Sequence, residues 1–177
     1  MIIVGEAQMV SGAKLDFAID WADALGARTI SSAAWATISG LTVSASSVSG
    51  TETIARITSS TLGVYHPNVT AVLSTAEELL AGFRLQVVSR IVVQDLARAV
   101  GAKFTIDALP WSEYLDGDTI SSRSWSVDSG LSILSGGTTA TPKLQSTAAG
   151  VWYATEHIIT ASGQEDERSI AVAVRAL

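Results

Sequence analysis

The 177-residue chain carries 11 Lys and Arg against 17 Asp and Glu, a formal net charge of −6 at pH 7. Its basic residues are scattered, which argues against a nucleic-acid partner because binding phosphates requires clustered Lys and Arg. The absence of cysteine excludes disulfides and thiolate metal sites. There is neither a basic-then-apolar leader nor an apolar run of about 18 residues, so we expect no export and no membrane partner.

The surface is predicted to be rich in hydroxyl groups and poor in charge. Charged residues make up 16% of the sequence, against about 25% in typical domains. The chain also has 23 Ser and 17 Thr, which lose less free energy on desolvation than Lys or Glu. Two interpretations stay open: an ordinary β-rich domain, or a subunit that remains packed against neighbours.

The first element in chain order is residues 1–12, MIIVGEAQMVSG, which are predicted to form an N-terminal arm outside the repeated part of the chain. Such an arm could add a strand to a neighbour or complete the domain that follows. Residues 13–97 are predicted to form the first domain, residues 98–102 a linker, and residues 103–177 the second domain.

The two domains are predicted to be copies of one another. TISSAAWATISGLTV at 29–43 and TISSRSWSVDSGLSI at 119–133 align at an offset of 90 residues. Further on, GVY at 63–65 and GVW at 150–152 align at an offset of 87. This many agreements in the same order indicate a tandem duplication of a unit of about 80 residues.

The end of the first domain differs from that of the second. AEELLAG at 76–82 is predicted to form one or two helical turns, and FRLQVVSRIVVQ at 83–94 a long strand. A strand that outruns its own sheet invites pairing with another chain, although one extended strand leading into the linker explains the run equally well. DLARAVGA at 95–102 is predicted to supply that linker, with a possible helical turn.

The second domain shows short strands separated by turns. KFTIDAL at 103–109 is predicted to be a strand and Asp116–Asp118 a turn, and alternation places Trp125 and Val127 on one face. GVWYATEHIITAS and SIAVAVRAL are predicted to pair as a hairpin around a solvated, charged tip, GQEDER at 163–168. Six or seven such strands in about 80 residues predict an all-β fold of two tandem immunoglobulin-like β-sandwich domains that arose by duplication.

Aromatic residues are predicted to anchor both domains. The G-x-aromatic spacing at 63–65 and 150–152 is typical of the corner that enters strand F of immunoglobulin-like domains; a core aromatic after a turn is the other explanation. Ala33-Ala34 in one copy stands against Arg123-Ser124 in the other, which predicts a surface covered by a neighbour in the first domain and one left in water in the second. The predicted anchors are Trp21, Trp35, Tyr65, Trp111, Trp125 and Trp152.

No arrangement of residues points to catalysis, so we expect no enzyme, no cofactor and no metal. His66 and His157 fall in non-equivalent places of the two copies, and no G-x-S-x-G elbow is present. The carboxylates of EYLDGD at 113–118 could bind calcium, but the first copy keeps one of them, at Asp23, and a turn explains the motif better.

The second domain resembles a known family. PWSEYLDGDTISSRSWSVDSGLSI and GVWYATEHIITASGQEDERSIAVAV are similar to segments of small phage virion proteins, described as phage fibre–tail adaptor or related accessory proteins and built from immunoglobulin-like modules. The resemblance covers residues 103–174 well and residues 15–93 more loosely. It implies a structural role in the virion of a tailed bacteriophage, in a protein that folds in the host cytoplasm before assembly.

We therefore expect a non-enzymatic tail adaptor that links fibres to the tail or neck. Its expected partners are other virion proteins of the tail tube, neck or fibre, and further copies of itself. The first domain and the arm are predicted to make the contacts on the shell side. Two alternatives remain open: a capsid decoration protein, with the capsid as partner, and a weak carbohydrate-binding module.

Overall fold

The computed structural model describes residues 2–115 and 117–176, whose regular secondary structure is almost all β-strand. The chain divides into two compact units, residues 1–89 and 90–177. The elements of the first unit are β1 (Ile2–Val10), β2 (Lys14–Asp20), α1 (Ala22–Leu25), β3 (Ile30–Trp35), β4 (Thr42–Ser49), β5 (Glu52–Thr58), β6 (Gly63–Tyr65), β7 (Asn68–Leu73) and β8 (Glu78–Val88).

Two sheets form the first unit. One has the strand order β1-β8-β7-β3, with the short β6 also paired to β8, and the other has the order β2-β5-β4. β1 runs parallel to β8, and the remaining pairs described in this unit are antiparallel. β5 and β7 alternate strictly between buried and half-buried residues, so one face of each sheet supplies the core. Phe17 and Phe83 stack in that core with ring centroids 5.0 Å apart.

The second unit repeats this arrangement. Its elements are β9 (Val92–Ala99), β10 (Lys103–Thr105), α2 (Ser112–Leu115), β11 (Ile120–Val127), β12 (Leu131–Ser135), β13 (Lys143–Ser146), β14 (Gly150–Thr160) and β15 (Glu165–Arg175). One sheet has the order β11-β14-β15 with β9 parallel to β15, and the other has the order β10-β13-β12. No helix among the described residues is long and apolar enough to cross a membrane.

The strands of the two units correspond in order and pairing apart from one interrupted strand, which confirms the predicted fold class of two immunoglobulin-like sandwiches. β14 and β15 form the predicted hairpin. Its first strand is continuous over residues 150–160, whereas the first unit splits the same strand into β6 and β7 around His66-Pro67. Proline has no backbone N–H to give to a sheet, which accounts for the interruption.

The boundary between the units differs from the predicted one. Within the predicted arm, β1 completes the first unit and does not extend as a separate segment, because it pairs with β8 along its length. Residues 90–97, predicted to end the first domain, belong to the second unit, where β9 pairs with β15 in the same parallel way. β1 and β9 are therefore equivalent first strands, and the repeat includes the segment predicted to lie outside it.

Two local predictions at the end of the first unit, a helical turn and a long strand, are wrong. AEELLAG contains no helical turn, since residues 74–77 form a turn and β8 begins at Glu78. The long strand predicted over 83–94 is two strands, β8 and β9, which end and begin on either side of the unit boundary. The predicted linker is the end of β9 and the turn that follows it.

Candidate docking surfaces

The corner aromatics Tyr65 and Trp152 occupy equivalent places, and each lies against a glycine of the turn before β4 or β12, namely Gly40 or Gly130. The Tyr65 hydroxyl donates to the Thr61 carbonyl at 2.9 Å, and Trp152 Nε1 donates to the Ala148 carbonyl at 2.9 Å. A Cβ on Gly130 would lie 2.0 Å from Cε2 of Trp152, so this glycine is required for the ring to sit where it does. The polar edge of each ring thus binds the backbone four residues earlier, as a corner aromatic does.

Trp21 and Trp111 are also equivalent, and each comes immediately before the short helix of its unit. They are 5% and 3% exposed. Trp21 Nε1 donates to Oγ1 of Thr53 at 3.0 Å, whereas Trp111 Nε1 donates to Oε2 of Glu156 at 2.7 Å. The two rings are buried to a similar extent but donate to different acceptors, so the units differ in the side chains around this tryptophan.

Trp35 and Trp125 complete the predicted anchors. Trp125 is 7% exposed and donates Nε1 to the Thr139 carbonyl at 2.8 Å. Trp35 packs edge-on to Phe83 with centroids 6.3 Å apart, and its buried Nε1 has no hydrogen-bond partner among the described residues. The contribution of the six aromatics to stability stays a prediction.

A group of charged side chains lies inside the second unit next to Trp111. Glu156 is fully buried, and its Oε1 accepts a hydrogen bond from Nη1 of Arg123 at 2.9 Å. Burial raises the pKa of the Glu156 carboxyl, and the hydrogen bond from Trp111 and the charge of Arg123 oppose that rise. Arg123, predicted to lie in water, is instead half-buried and paired with this carboxylate.

The charged segment predicted as a solvated tip also supplies this group. Asp166 and Arg168 are each 4% exposed and belong to β15, whose inward face they share. Arg168 Nη2 lies 3.7 Å from Oδ2 of Asp166, and the Arg168 guanidinium lies 4.9 Å from the centroid of the Trp111 ring. Burial raises the pKa of Asp166. The turn of the hairpin is shorter than predicted and covers residues 161–164.

The first unit carries small or apolar side chains at all four equivalent positions. The register of β3, β7 and β8 matches that of β11, β14 and β15, so the residues can be paired directly. The pairs are Arg123 with Ala33, Glu156 with Val69, Asp166 with Leu79, and Arg168 with Ala81. The two copies thus share a backbone framework, but at these four positions the second unit has charged side chains and the first has aliphatic ones.

A cavity of about 320 Å³ lies beside Trp21 in the first unit, and two of these four positions, Leu79 and Ala81, line it. Its walls are mainly apolar, and Val4 and Leu80 at its edge are 51% and 43% exposed. Two carboxylates, Asp20 and Asp23, are the charged residues that line it. The Asp20 carboxylate accepts hydrogen bonds from the Thr51 hydroxyl and the Ala22 amide, which lower its pKa and keep it ionised.

The edge strand β4 is a second open surface of the first unit. All eight residues of this strand, TVSASSVS, are exposed, and none is charged. Its equivalent, β12, has five residues and begins with a buried leucine. Proteins commonly protect an edge with charge, proline or short length, and β4 has none of these features.

The acidic and histidine side chains in the described part of the chain form no metal-binding group. Residues 2–115 and 117–176 contain no group of three or more His, Asp or Glu that could hold a metal. Of the acids predicted as a turn or weak calcium site, Asp116 lies outside the described residues. Hydrogen bonds from Thr160, Ser162 and Thr119 lower the pKa of Asp118 to about 2, so this carboxylate stabilises a turn.

Solved structures with immunoglobulin-like or related folds are similar to this chain at low identity. The PKD domain of the KIAA 1837 protein is 16% identical, covers 47% of this chain and 81% of that chain, and has a TM-score of 0.39. The fibronectin(III)-like modules of Clostridium thermocellum CbhA are 14% identical over 98% of this chain and 91% of that chain, with a TM-score of 0.37. The titin tandem domains A164-A165 are 10% identical over 98% and 94%, with a TM-score of 0.32.

Sequence comparison identifies the family. No curated protein matches the chain. The family described as podophage GP4 fiber-tail adaptor protein gp77 matches residues 10–86 and 103–173, one segment in each unit. This match covers more than half of the sequence and includes most strands of both sandwiches. The chain therefore belongs to the podophage GP4 fiber-tail adaptor protein gp77 family.

Proposed function

We propose that this protein connects a fibre to the tail or neck of a tailed bacteriophage, as a structural component of the virion without enzymatic activity. The observation that carries the proposal is the family match across both units. The structure supports it with two copies of one framework whose side chains diverge at the same place, as expected of a chain that holds two different partners. We also propose that the protein folds in the host cytoplasm and then joins the particle.

Two linked domains give such an adaptor a physical advantage. Once one unit has docked, the other searches for its partner at a high effective concentration, so neither contact needs high affinity alone. The first unit has the open cavity and the exposed edge strand β4. We therefore propose that the first unit contacts the tail or neck, and that the second, whose equivalent position is filled by its own side chains, contacts the fibre.

Several copies of the chain are proposed to assemble around the tail axis. β4 supports this idea because two uncharged edges can pair through their backbones without bringing like charges together, even in a chain of net charge −6. Native mass spectrometry of the purified chain tests the proposal. A closed ring or smaller oligomer is the expected result, and a monomer at high micromolar concentration contradicts self-assembly through this edge.

Particles made without this protein test the adaptor function itself. We expect an amber mutant of the gene to give DNA-filled heads with tails but without fibres, and added purified protein to restore fibre attachment. Electron microscopy of the particles and a count of fibre protein per particle provide the measurement. Fibres that remain on such particles while the heads become fragile would favour capsid decoration instead, and normal particles that fail only to bind host glycans would favour carbohydrate binding.

A further inference from the structure

We propose that the cavity beside Trp21 receives an arginine side chain from a partner protein in the virion. The inference rests on the proposed function only for the class of partner, since the chemistry of the cavity is a property of this chain. The partner side chain would lie along the apolar walls and place its guanidinium between the Trp21 ring and the carboxylates of Asp20 and Asp23.

The charge of the cavity favours a cation over an apolar side chain. Asp20 and Asp23 are the charged residues among those that line it, and no lysine or arginine lines it. A leucine or phenylalanine entering the cavity would make the apolar contacts but would bring no positive charge to these two acidic residues. An arginine has both features that the cavity requires, a long apolar stem and a planar cation that binds carboxylates in a fork.

The second unit already holds a guanidinium at the equivalent position. Arg168 stands where the first unit has Ala81, and its guanidinium lies 4.9 Å from the centroid of the Trp111 ring. Trp111 and Trp21 are equivalent rings, buried to nearly the same extent. The framework can therefore accommodate an arginine beside this tryptophan, and the first unit has the ring and an opening to solvent but an alanine in place of the arginine.

Arginine is preferred to lysine for a physical reason. A guanidinium is more weakly hydrated than an ammonium group and stacks on an aromatic face, so it loses less on entering a largely apolar cavity. The apolar contacts are supplied by Leu79 and Leu80 on β8 and by Val4 on β1. These strands are paired in register, so the cavity wall is part of the sheet.

NMR titration of the full chain with N-acetyl-L-arginine amide tests the proposal. We expect the amide signals of Asp23, Leu80 and Ala81 to shift and to saturate with a dissociation constant on the order of millimolar, as suits a ligand of this size. N-acetyl-L-lysine amide should bind more weakly, and N-acetyl-L-leucine amide should leave these signals unchanged. Equal or tighter binding of the leucine compound overturns the proposal, as does the absence of any shift with the arginine compound.

Two variants place the binding in the cavity. Ala81→Arg gives the first unit the residue of the second and should abolish binding of the probe. Because a larger core residue can destabilise the unit, Asp23→Asn, at an exposed position, gives an independent test and should weaken binding at least threefold. Asp95→Asn removes an equal charge from the exposed face of β9 and should leave binding unchanged; equal weakening in both asparagine variants refutes a local role of Asp23.

This outcome can be separated from the adaptor test. If probe binding fails while particles without the protein lack fibres, the arginine site is wrong and the adaptor function stands. If the probe binds while such particles keep their fibres, the site is real and its partner lies elsewhere.

Discussion

Replacing Arg123 by Ala removes the cation that faces a fully buried carboxylate. Glu156 is 0% exposed and Arg123 21% exposed, and their atoms lie 2.9 Å apart. Loss of one partner of a buried pair lowers the free energy of unfolding by about 3–5 kcal/mol. Because Arg123 retains some contact with water, we expect the loss in the second unit at neutral pH to be near about 2–3 kcal/mol.

The size of this loss should depend on pH in a defined direction. Burial holds the pKa of native Glu156 above its unfolded value, so the folded state binds this proton more tightly and the carboxyl contributes less stability as pH rises. Removing Arg123 raises the native pKa further. The difference between wild type and Arg123→Ala should therefore be small below pH 4.5, where the carboxyl is protonated in both states, and should grow toward pH 8.

Urea unfolding followed by the amide NMR signals of β14 measures this stability in the second unit well below pH 4.5 and at pH 8. The matched control is the double variant Arg123→Ala with Glu156→Gln, because glutamine removes the charge while its carbonyl can still accept from Trp111. We expect the double variant to regain more than about 1 kcal/mol relative to the single one and to show little pH dependence. A pH-independent loss in Arg123→Ala, or a double variant as unstable as the single one, would refute the reasoning.

Three further predictions concern single sites. Gly130→Ala should lower the stability of the second unit by about 1–3 kcal/mol in urea unfolding, because its Cβ would overlap the indole ring above it, whereas Gly137→Ala, with nothing nearer than 3.7 Å, should lose far less. The pKa of Asp118 is lowered to about 2, so the stability that its carboxylate contributes above pH 4 should disappear between pH 4 and pH 2 in wild type. Asp118→Asn should lack this part of the loss, and a variant whose stability falls with pH in parallel with that of wild type contradicts the prediction. Trp125→Phe should lose about 1 kcal/mol more than Trp35→Phe, since only the former breaks a hydrogen bond; equal losses in thermal unfolding speak against it.

The fold class could be predicted from the sequence because the same pattern of strands and turns occurs in both copies of the repeat. The start of each unit was not predicted, although GAK at 12–14 and GAK at 101–103 align at an offset of 89. The offset increases by one residue between this motif and Trp21 and Trp111. An alignment of the two copies that is fixed on the tryptophans therefore misses the motif. The motif would have identified β1 and β9 as equivalent strands and placed the unit boundary before residue 92.

The charged group in the second unit was not predictable from composition or hydropathy. Acidic and basic residues in a row such as EDER usually lie in solvent, and burying them is favourable only when partners from other strands are in place. Arg123 and Trp111 supply those partners to Glu156 from positions 33 and 45 residues away in the sequence. Glu156 lies two residues after the buried Ala154, so strand alternation places both side chains on the inward face of β14. This spacing could have predicted that Glu156 is buried, but only once the strand register is known.

The parallel pairing of the first and last strands has a mechanical consequence for each unit. A pull on the start of β1 and the end of β8 draws two parallel neighbours along each other, so the hydrogen bonds between them are loaded in shear and must yield together. β9 and β15 are joined in the same way. A single-molecule pulling experiment on the full chain should therefore show two high-force events, one for each unit.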